Sequence, residues 1–187
     1  MTDKPVRKPR VFTLGHSNRS LDEFMHILEG SSIRLVADVR SNPASVRFPH
    51  FERSALSKEL EKRGVVYRWF RDLGIRQRPM PGEEEHTAID DETLRRYCAA
   101  MNTPEFNLTV EDLFGLLASA VTVVLCAERD FKRCHRGLLS DKLMVMGARV
   151  THIQDIQEAE DHYHHPDLAV EGEKMIYRGR QLDLLSS

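Results

Sequence analysis

The stretch from Cys126 to Arg136 concentrates side chains that can do chemistry: Cys-Ala-Glu-Arg-Asp-Phe-Lys-Arg-Cys-His-Arg. Before it, the apolar run at 121–125 predicts a buried strand, and the pattern after Cys134 predicts an amphipathic helix. In an α/β protein, ligands bind where a strand ends and a helix begins, because the first helical turn offers unpaired N–H groups and a partial positive charge. The junction therefore predicts a site for an anion, a thiolate or both.

Cys134 is the first of three predicted catalytic residues. At the amino end of a helix, beside Arg133 and His135, the pKa of its thiol should fall and the thiolate become a usable nucleophile. Adjacent residues on a helix diverge by about 100°, so His135 should point away from Cys134 and a base would come from elsewhere. The alternative is a cysteine packed in the interior at the helix start. Cys126 is interpreted as structural, since cysteine is among the most buried residue types.

Glu128 and His16 are the other two predicted catalytic residues. Glu128 follows the buried strand. A carboxylate at this position with a raised pKa could act as a general acid or base. The alternative is that Glu128 is a solvated loop residue or the partner of an arginine in an ion pair. His16 follows Gly15 at the end of another predicted strand, where the backbone can approach a ligand closely. It is the preferred base for Cys134, although it could instead hydrogen-bond its own loop.

Arginines near the predicted strand ends and the helix start suggest anion binding. The guanidinium groups of Arg40 and Arg136 can each hold a carboxylate or phosphate through two parallel hydrogen bonds. Asp38 lies two residues before Arg40 and could orient it. The remaining predicted substrate contacts lie beside these groups: Ser17, Arg19 and His135. Each of these residues could instead tie neighbouring loops together.

A metal site could be assembled on paper from four residues: Cys126, Cys134, His16 and His135. The sequence lacks the paired C-x-x-C spacing that is typical of zinc sites. The prediction therefore includes no metal and no cofactor. The run 162–165, His-Tyr-His-His, resembles a metal motif but lies in a polar C-terminal segment, and we interpret it as solvated.

Hydrophobic periodicity and turn residues predict an alternation of strands and helices. Near-continuous Val, Ile and Leu predict strands buried on both faces, at residues 11–16, 33–39, 65–70, 121–126 and 150–153. Apolar stripes and caps predict helices over 20–30, 54–63 and 94–101, a short helix from 109, and a helix from 134 to 147. This order indicates an α/β fold, a single domain with a mostly parallel β-sheet of about five strands and helices on both faces.

The carboxyl ends of parallel strands lie at one edge of a sheet, and this geometry would bring the distant candidates together. The polar groups at these strand ends and at the helix start are His16, Ser17 and Arg19; Asp38 and Arg40; Cys126 and Glu128; and Cys134, His135 and Arg136. We therefore expect a single, positively charged cleft at this edge.

The composition is that of a globular protein, with 187 residues and a formal net charge of −2. This balance argues against a protein that coats DNA, so nucleic acid, bound through the arginines of 68–78 and a basic arm, is not the favoured partner. No apolar stretch approaches the roughly 20 residues of a membrane span, and an odd number of cysteines fits a reducing compartment, so we expect a cytoplasmic protein without a membrane partner. We divide the chain into a flexible basic arm (1–10), an α/β domain (11–155) with a candidate flap (76–91), and a C-terminal extension that packs on the domain (156–187).

Five short motifs follow one another along the chain: Thr13 to Ser20, Val36 to Arg40, Pro49 to Phe51, Cys126 to Glu128 and Cys134 to Arg136. Together they resemble the family called domain of unknown function 488, over roughly residues 11 to 153. The resemblance implies a cytosolic α/β protein of prokaryotic type with a functional site. It implies no established reaction.

The leading hypothesis is an enzyme that acts on a small anionic, nucleotide-like substrate at the carboxyl edge of the sheet. Arg40 and Arg136 would hold the anion, Glu128 or His16 would transfer protons, and Cys134 would be the nucleophile. One alternative is a nucleotide- or nucleic-acid-binding module without catalysis. A second alternative is rhodanese-like thiol or sulfur chemistry at the two neighbouring cysteines, which requires their sulfur atoms to lie close together.

Overall fold

The structure, a computed structural model, describes residues 8–179 of the chain. Strands and helices alternate through much of this range, and its last four elements are strands. The strands are β1 (Arg10–Gly15), β2 (Leu35–Asp38), β3 (Val66–Trp69), β4 (Thr122–Cys126), β5 (Arg149–Asp155), β6 (Glu158–Asp161), β7 (Leu168–Glu171) and β8 (Lys174–Tyr177). The helices are α1 (Leu21–Gly30), α2 (Arg53–Lys62), α3 (Glu92–Ala100), α4 (Pro104–Leu116) and α5 (His135–Val145).

The main sheet has six strands in the order β3-β2-β4-β1-β5-β6. The first five strands of the chain pair in parallel, and β6 is antiparallel to β5. The predicted α/β fold with a mostly parallel sheet is confirmed. The five predicted strands are all present, and the sixth comes from the segment after residue 155, whose polar sequence Glu-Ala-Glu-Asp gives little sign of a strand. Its pairing relies on the exposed backbone of a sheet edge, which accepts many sequences.

Helices cover both faces of this sheet, because successive strand residues point to opposite sides. On β4, Val124 and Cys126 belong to the apolar core beneath α3, α4 and α5. Val123 and Leu125 belong to the core beneath α1 and α2. Cys126 therefore faces α5, which places its sulfur on the α5 side of the sheet.

Local capping explains where the helices begin. Ser20 caps α1 in a reciprocal capping box with Glu23, as the sequence predicts. The predicted start of α4 at residue 109 is wrong: the side chain of Thr103 caps the helix and Pro104 occupies its first turn. Proline suits this position because the first N–H of a helix has no partner to lose. Thr109 lies inside the helix, where its hydroxyl donates to the carbonyl of Glu105.

The C-terminal segment adds the hairpin β7–β8 to the α3 side of the molecule. Met175 and Tyr177 are fully buried in the core beneath α3 to α5. The backbone N–H of Tyr177 also donates to His86, a buried residue of the 76–91 segment. Residues 1–7 of the predicted arm lie outside the described residues, and Arg10 already belongs to β1. Among residues 8–179, no helix combines the length and apolarity needed to cross a bilayer.

Candidate functional site

A cavity of about 520 Å³ lies where β1, β2 and β4 end. We call it the edge cavity. It is lined by residues of three loops: His16, Ser17 and Asn18; Arg40, Asn42, Ala44, Ser45, Arg47 and Phe48; and Ala127 and Glu128. The structure thus brings together four predicted site residues from three distant parts of the sequence, namely His16, Ser17, Arg40 and Glu128.

The first and third loops are tied together by backbone hydrogen bonds that extend the pairing of β1 with β4. The N–H of His16 donates to the carbonyl of Cys126 (2.9 Å), and the N–H of Ser17 donates to that of Ala127 (2.8 Å). Gly15 permits this approach, because a Cβ atom there would lie 1.8 Å from the carbonyl oxygen of Glu128. The floor of the edge cavity is therefore a tight backbone junction.

Asp38 and Arg40 form a buried ion pair beside the cavity. The Nε atom of Arg40 donates to Oδ1 of Asp38 (2.9 Å), and a terminal nitrogen donates to Oδ2 (2.5 Å). The hydroxyl of Tyr67 also donates to Oδ2 (2.6 Å). Burial alone would lower the pKa of Arg40, but the hydrogen bonds and charge of Asp38 raise it above its usual value. Asp38 therefore orients Arg40, as the sequence suggested.

His16 is held as a neutral imidazole. A carbonyl can only accept, so Nδ1 donates to the carbonyl of Ser17 (3.0 Å), which leaves Nε2 to accept from Arg40 (3.2 Å). The ring also stacks on Phe51 at a centroid distance of 4.3 Å. Burial, followed by the positive charge of Arg40, lowers the pKa of His16 to about 4. Because both ring nitrogens are engaged, His16 shapes the cavity in this structure and offers no free nitrogen as a base.

This lowered pKa predicts that His16 destabilises the fold in acid. The unfolded chain would take up a proton near pH 6.5, whereas folded His16 resists protonation until about pH 4. Stability is therefore complete above pH 6.5 and should fall by about 3 kcal/mol by pH 4. Denaturant unfolding of the wild type and of His16→Gln across this range measures the difference. An NMR titration that places the pKa of His16 near 6.5 would contradict the expectation.

Glu128 is an exposed carboxylate in the cavity wall. Its Oε1 atom accepts from the backbone N–H of Arg129 (2.9 Å) and more weakly from that of Asp130 (3.4 Å). These bonds hold the carboxylate against its own loop while the residue stays open to solvent. Of the two predicted proton-transfer groups, Glu128 and His16, Glu128 is the one whose side chain is open to solvent and so can reach a substrate.

Arg136 and Arg19 do not line the edge cavity, and the predicted anion contacts at these positions need correction. Arg136 is 2% exposed and donates to the backbone carbonyls of Glu128 and Arg129. Arg19 is 8% exposed and donates to the carbonyls of Gly15 (2.6 Å) and Gln154. Buried carbonyls beyond a strand end need donors, and the two guanidinium groups supply them. Both arginines therefore hold the loops that form the cavity.

Cys126, Cys134 and His135 form a separate buried cluster that we call the thiol site. The two sulfur atoms lie 3.3 Å apart, and Nδ1 of His135 lies 3.8 Å from each. The prediction that His135 points away from Cys134 is wrong. Cys134 caps α5 with an extended backbone (φ −132°, ψ 143°), so the helical angle between neighbours does not apply to this pair.

The thiol site does not open into the edge cavity. Cys134 instead borders a second cavity of about 430 Å³, the α5 cavity, formed by Ile89, Leu94, Phe131, Lys132, Cys134, Gly137, Leu138, Asp141 and residues 160–166. The expectation of one cleft shared by Cys134 and His16 is therefore wrong. Within the thiol site, the S–H of Cys134 donates to the sulfur of Cys126, which lowers the pKa of Cys126 and raises that of Cys134. The expectation that the pKa of Cys134 falls at the helix start is therefore wrong.

The histidine run at 162–165 is also not fully solvated, contrary to expectation. His162 is 9% exposed, and its Nε2 donates to Asp141, a buried carboxylate of α5 (3.1 Å). Its Nδ1 then accepts from His152 (2.8 Å), whose other nitrogen accepts from Thr13 (2.6 Å). The buried Asp141 carboxylate requires donors, and the C-terminal segment provides four: His162, His164, the backbone N–H of His165 and the hydroxyl of Tyr177.

Three residues that contribute to the edge cavity were missed in the sequence. Arg47 lies in the loop after β2, and its position on the carboxyl edge could have been inferred from that loop alone. Phe51 stacks on His16 and accepts a hydrogen bond from Arg40 (2.9 Å), and Tyr67 completes the Asp38 network. Phe51 belongs to the Pro49–Phe51 motif, which assigned it no role, and no local pattern marks Tyr67. Both roles depend on partners distant in the sequence.

Residues 20–143, about two thirds of the chain, match the sequence profile described as domain of unknown function DUF488. The chain belongs to the DUF488 family. The DUF488 match covers the ion pair of Asp38 and Arg40, the loop with Glu128, and the thiol site, and it begins after Arg19. The chain matches no curated protein and no solved structure at a significant level.

Proposed function

We propose that this DUF488 chain is an enzyme that binds a small anionic, nucleotide-like substrate in the edge cavity. The observation that carries the proposal is the meeting of three strand-end loops around one open cavity that holds two arginines and a carboxylate. In α/β proteins, ligands bind at this edge of the sheet. Proteins that share such a fold can bind different substrates when the loops at this edge differ.

Arg47 is the group best suited to hold the anion. Its side chain is exposed in the cavity wall, and its guanidinium lies 5.2 Å from the ring centre of Phe48. Four of the five N–H donors of Arg40 are taken by Asp38, Phe51 and His16, so Arg40 contributes positive charge more than free hydrogen bonds. A guanidinium beside a half-buried aromatic ring suits a ligand that joins a phosphate to a flat base.

Glu128 is the proposed general acid or base. Its carboxylate is fixed by backbone N–H groups and faces the same cavity as Arg47. An exposed carboxylate opposite a cation can exchange a proton with a substrate that the cation holds. We assign no nucleophile in this cavity, because Cys134 borders the α5 cavity instead.

Two other functions receive less support. Nucleic-acid binding through the arginines of residues 68–78 is less favoured, because Arg68 lies 3.7 Å from Asp112 and Arg76 lies 3.6 Å from Asp72. Rhodanese-like sulfur chemistry would use the thiol site, where the sulfur atoms lie 3.3 Å apart, as this alternative requires. However, Cys126 and Cys134 are only 6% and 5% exposed, and neither lines the edge cavity. A substrate held by Arg47 would not meet either sulfur.

The proposal is tested by the Arg47→Gln variant. We expect calorimetric titration with a panel of nucleoside mono-, di- and triphosphates to find a ligand that this variant binds at least about tenfold more weakly than the wild type does, since one charge-assisted hydrogen bond is worth about 1.5–3 kcal/mol. Arg34→Gln is the matched control, because Arg34 is equally exposed but lies at the amino end of β2, away from the cavity. Equal affinity in all three proteins would reject the anion site.

A turnover arm of this experiment separates the enzyme from a binding module. The bound nucleotide is incubated with wild type and with Glu128→Gln, and the mixture is analysed by chromatography. Product that forms with the wild type and is reduced about 100-fold or more in Glu128→Gln supports a proton-transfer role. A nucleotide that binds tightly and stays unchanged in both proteins would favour a binding module.

A further inference from the structure

We propose that Cys126, Cys134 and His135 form a Zn²⁺ site that is separate from the edge cavity. Their ligand atoms lie within 4.8 Å of one another, the one such cluster of three or more His, Cys, Asp or Glu side chains among residues 8–179. Thiolate and imidazole are the ligands that zinc prefers in proteins.

The spacing of the three ligand atoms fits a zinc ion. The triangle has sides of 3.3, 3.8 and 3.8 Å, and the point equidistant from its corners lies roughly 2.1 Å from each atom. Zinc–nitrogen and zinc–sulfur bonds are about 2.0–2.3 Å long. A zinc ion slightly above the plane of the triangle would thus lie close to bonding distance from all three atoms.

The hydrogen bond on the far side of His135 prepares its ring to bind a metal. The Nε2 atom lies 3.2 Å from the carbonyl oxygen of Val39, and because a carbonyl only accepts, Nε2 carries the proton. Nδ1 is therefore the ring nitrogen that is free to bind a metal. It lies 3.8 Å from each sulfur atom, and the sulfur of Cys126 lies 3.9 Å from Nε2 as well. Metal-binding histidines almost always donate their other N–H to a carbonyl or carboxylate in this way. The ring of Tyr97, 5.0 Å away, packs against the imidazole and limits its rotation.

Burial and charge also favour a metal over two free thiols. All three side chains are 6% exposed or less. Two thiolates and a neutral imidazole around Zn²⁺ carry no net charge, which suits a buried position. Zinc would bind both cysteines as thiolates, which are the metal-binding form.

The backbone explains why the sequence motif is unfamiliar. Cys126 ends β4, and a 3-10 turn at residues 131–133 returns the chain so that Cys134 stands at the start of α5. Seven residues therefore separate the two cysteines, where a zinc knuckle commonly has two to four. His135 reaches the site only because the backbone of Cys134 is extended.

Three protein ligands are the pattern of zinc sites that keep one position for water or substrate. The α5 cavity, which Cys134 borders, provides room for such a group beside the site. Neither Cys126 nor His135 lines the edge cavity. The proposal of a zinc site and the proposal of an anion site can therefore be tested independently of each other.

The experiment measures metal binding by the reduced, full-length protein. We expect about one zinc per chain by mass spectrometry after purification without chelator, and tight rebinding by metal-free protein in competition with a chromophoric chelator. Co²⁺ in place of zinc should give the strong visible bands of a tetrahedral site and a sulfur-to-cobalt charge-transfer band. Zinc affinity should rise with pH, because two thiols must release their protons.

Cys126→Ala, Cys134→Ala and His135→Ala should each weaken zinc binding by more than the roughly 10–100-fold that loss of an outer-shell partner costs. Cys98→Ala is the matched control, since Cys98 is a buried cysteine of α3 outside the site and this variant should bind zinc as the wild type does. Circular dichroism verifies that each variant is folded, and Arg47→Gln should retain zinc.

Four results would overturn the proposal. The first is a reduced wild type that binds no zinc, and the second is a protein that forms a Cys126–Cys134 disulfide without ever holding metal. The third is bound cobalt that shows no sulfur charge transfer. The fourth is zinc that survives in all three ligand variants.

Discussion

Replacing Asp38 with alanine should lower the free energy of unfolding by about 3–5 kcal/mol. Asp38 is fully buried, and its carboxylate accepts hydrogen bonds from Arg40 and Tyr67. Without it, the guanidinium of Arg40, which is only 6% exposed, would remain buried and charged with no carboxylate hydrogen-bonded to it. Urea denaturation monitored by circular dichroism measures the change.

A double-mutant cycle separates the ion pair from general packing. Arg40→Met removes the charge while keeping a long side chain, and the variant with both substitutions should be much less destabilised than the sum of the two single changes. If Asp38→Ala lowers the free energy of unfolding by less than about 1 kcal/mol, as the loss of an exposed ion pair does, the result would contradict the buried network.

Replacing Gly15 with alanine should be at least as damaging, with a loss of more than about 4 kcal/mol or displacement of the 127–130 loop. The new methyl group would lie 1.8 Å from the carbonyl oxygen of Glu128, inside any allowed contact, and the atoms it meets are backbone atoms that cannot rotate away. Thermal and urea unfolding measure the stability. Displacement of the loop would also reduce anion binding in the edge cavity, because Glu128 moves with it.

Gly115→Ala provides the matched control for this substitution. Gly115 lies in α4, and a Cβ atom there meets nothing within 4 Å. Alanine is favoured over glycine in a helix by about 1 kcal/mol, so this variant should be as stable as the wild type or more so. A Gly15→Ala protein that behaves like Gly115→Ala would mean that the loop does not approach β1 as closely as described.

The end of β4 connects the two proposed sites. Cys126 points to the α5 face and enters the thiol site, whereas Ala127 and Glu128 turn toward the edge cavity. Arg136, next to His135, donates to the carbonyl of Glu128. The loop of residues 127–130 is therefore a structural neighbour of both sites.

Much of the architecture follows from local patterns. Apolar runs such as 121–125 and the capping box at Ser20 depend on neighbouring residues, and the parallel sheet with polar strand ends at a common edge follows from them. The meeting of His16, Arg40 and Glu128 could be anticipated for this reason, because parallel strands leave no other arrangement of their ends.

Side-chain assignments needed the folded chain, because they depend on distant partners. The amino-acid type of Arg136 is equally compatible with binding a phosphate and with binding a carbonyl, and the position of the Glu128 loop selects the carbonyl. One extended residue, Cys134, turns His135 toward both sulfur atoms, and no local pattern reports its dihedral angles. Periodicity thus places a residue at an edge of the sheet, whereas long-range packing determines which group its side chain meets there.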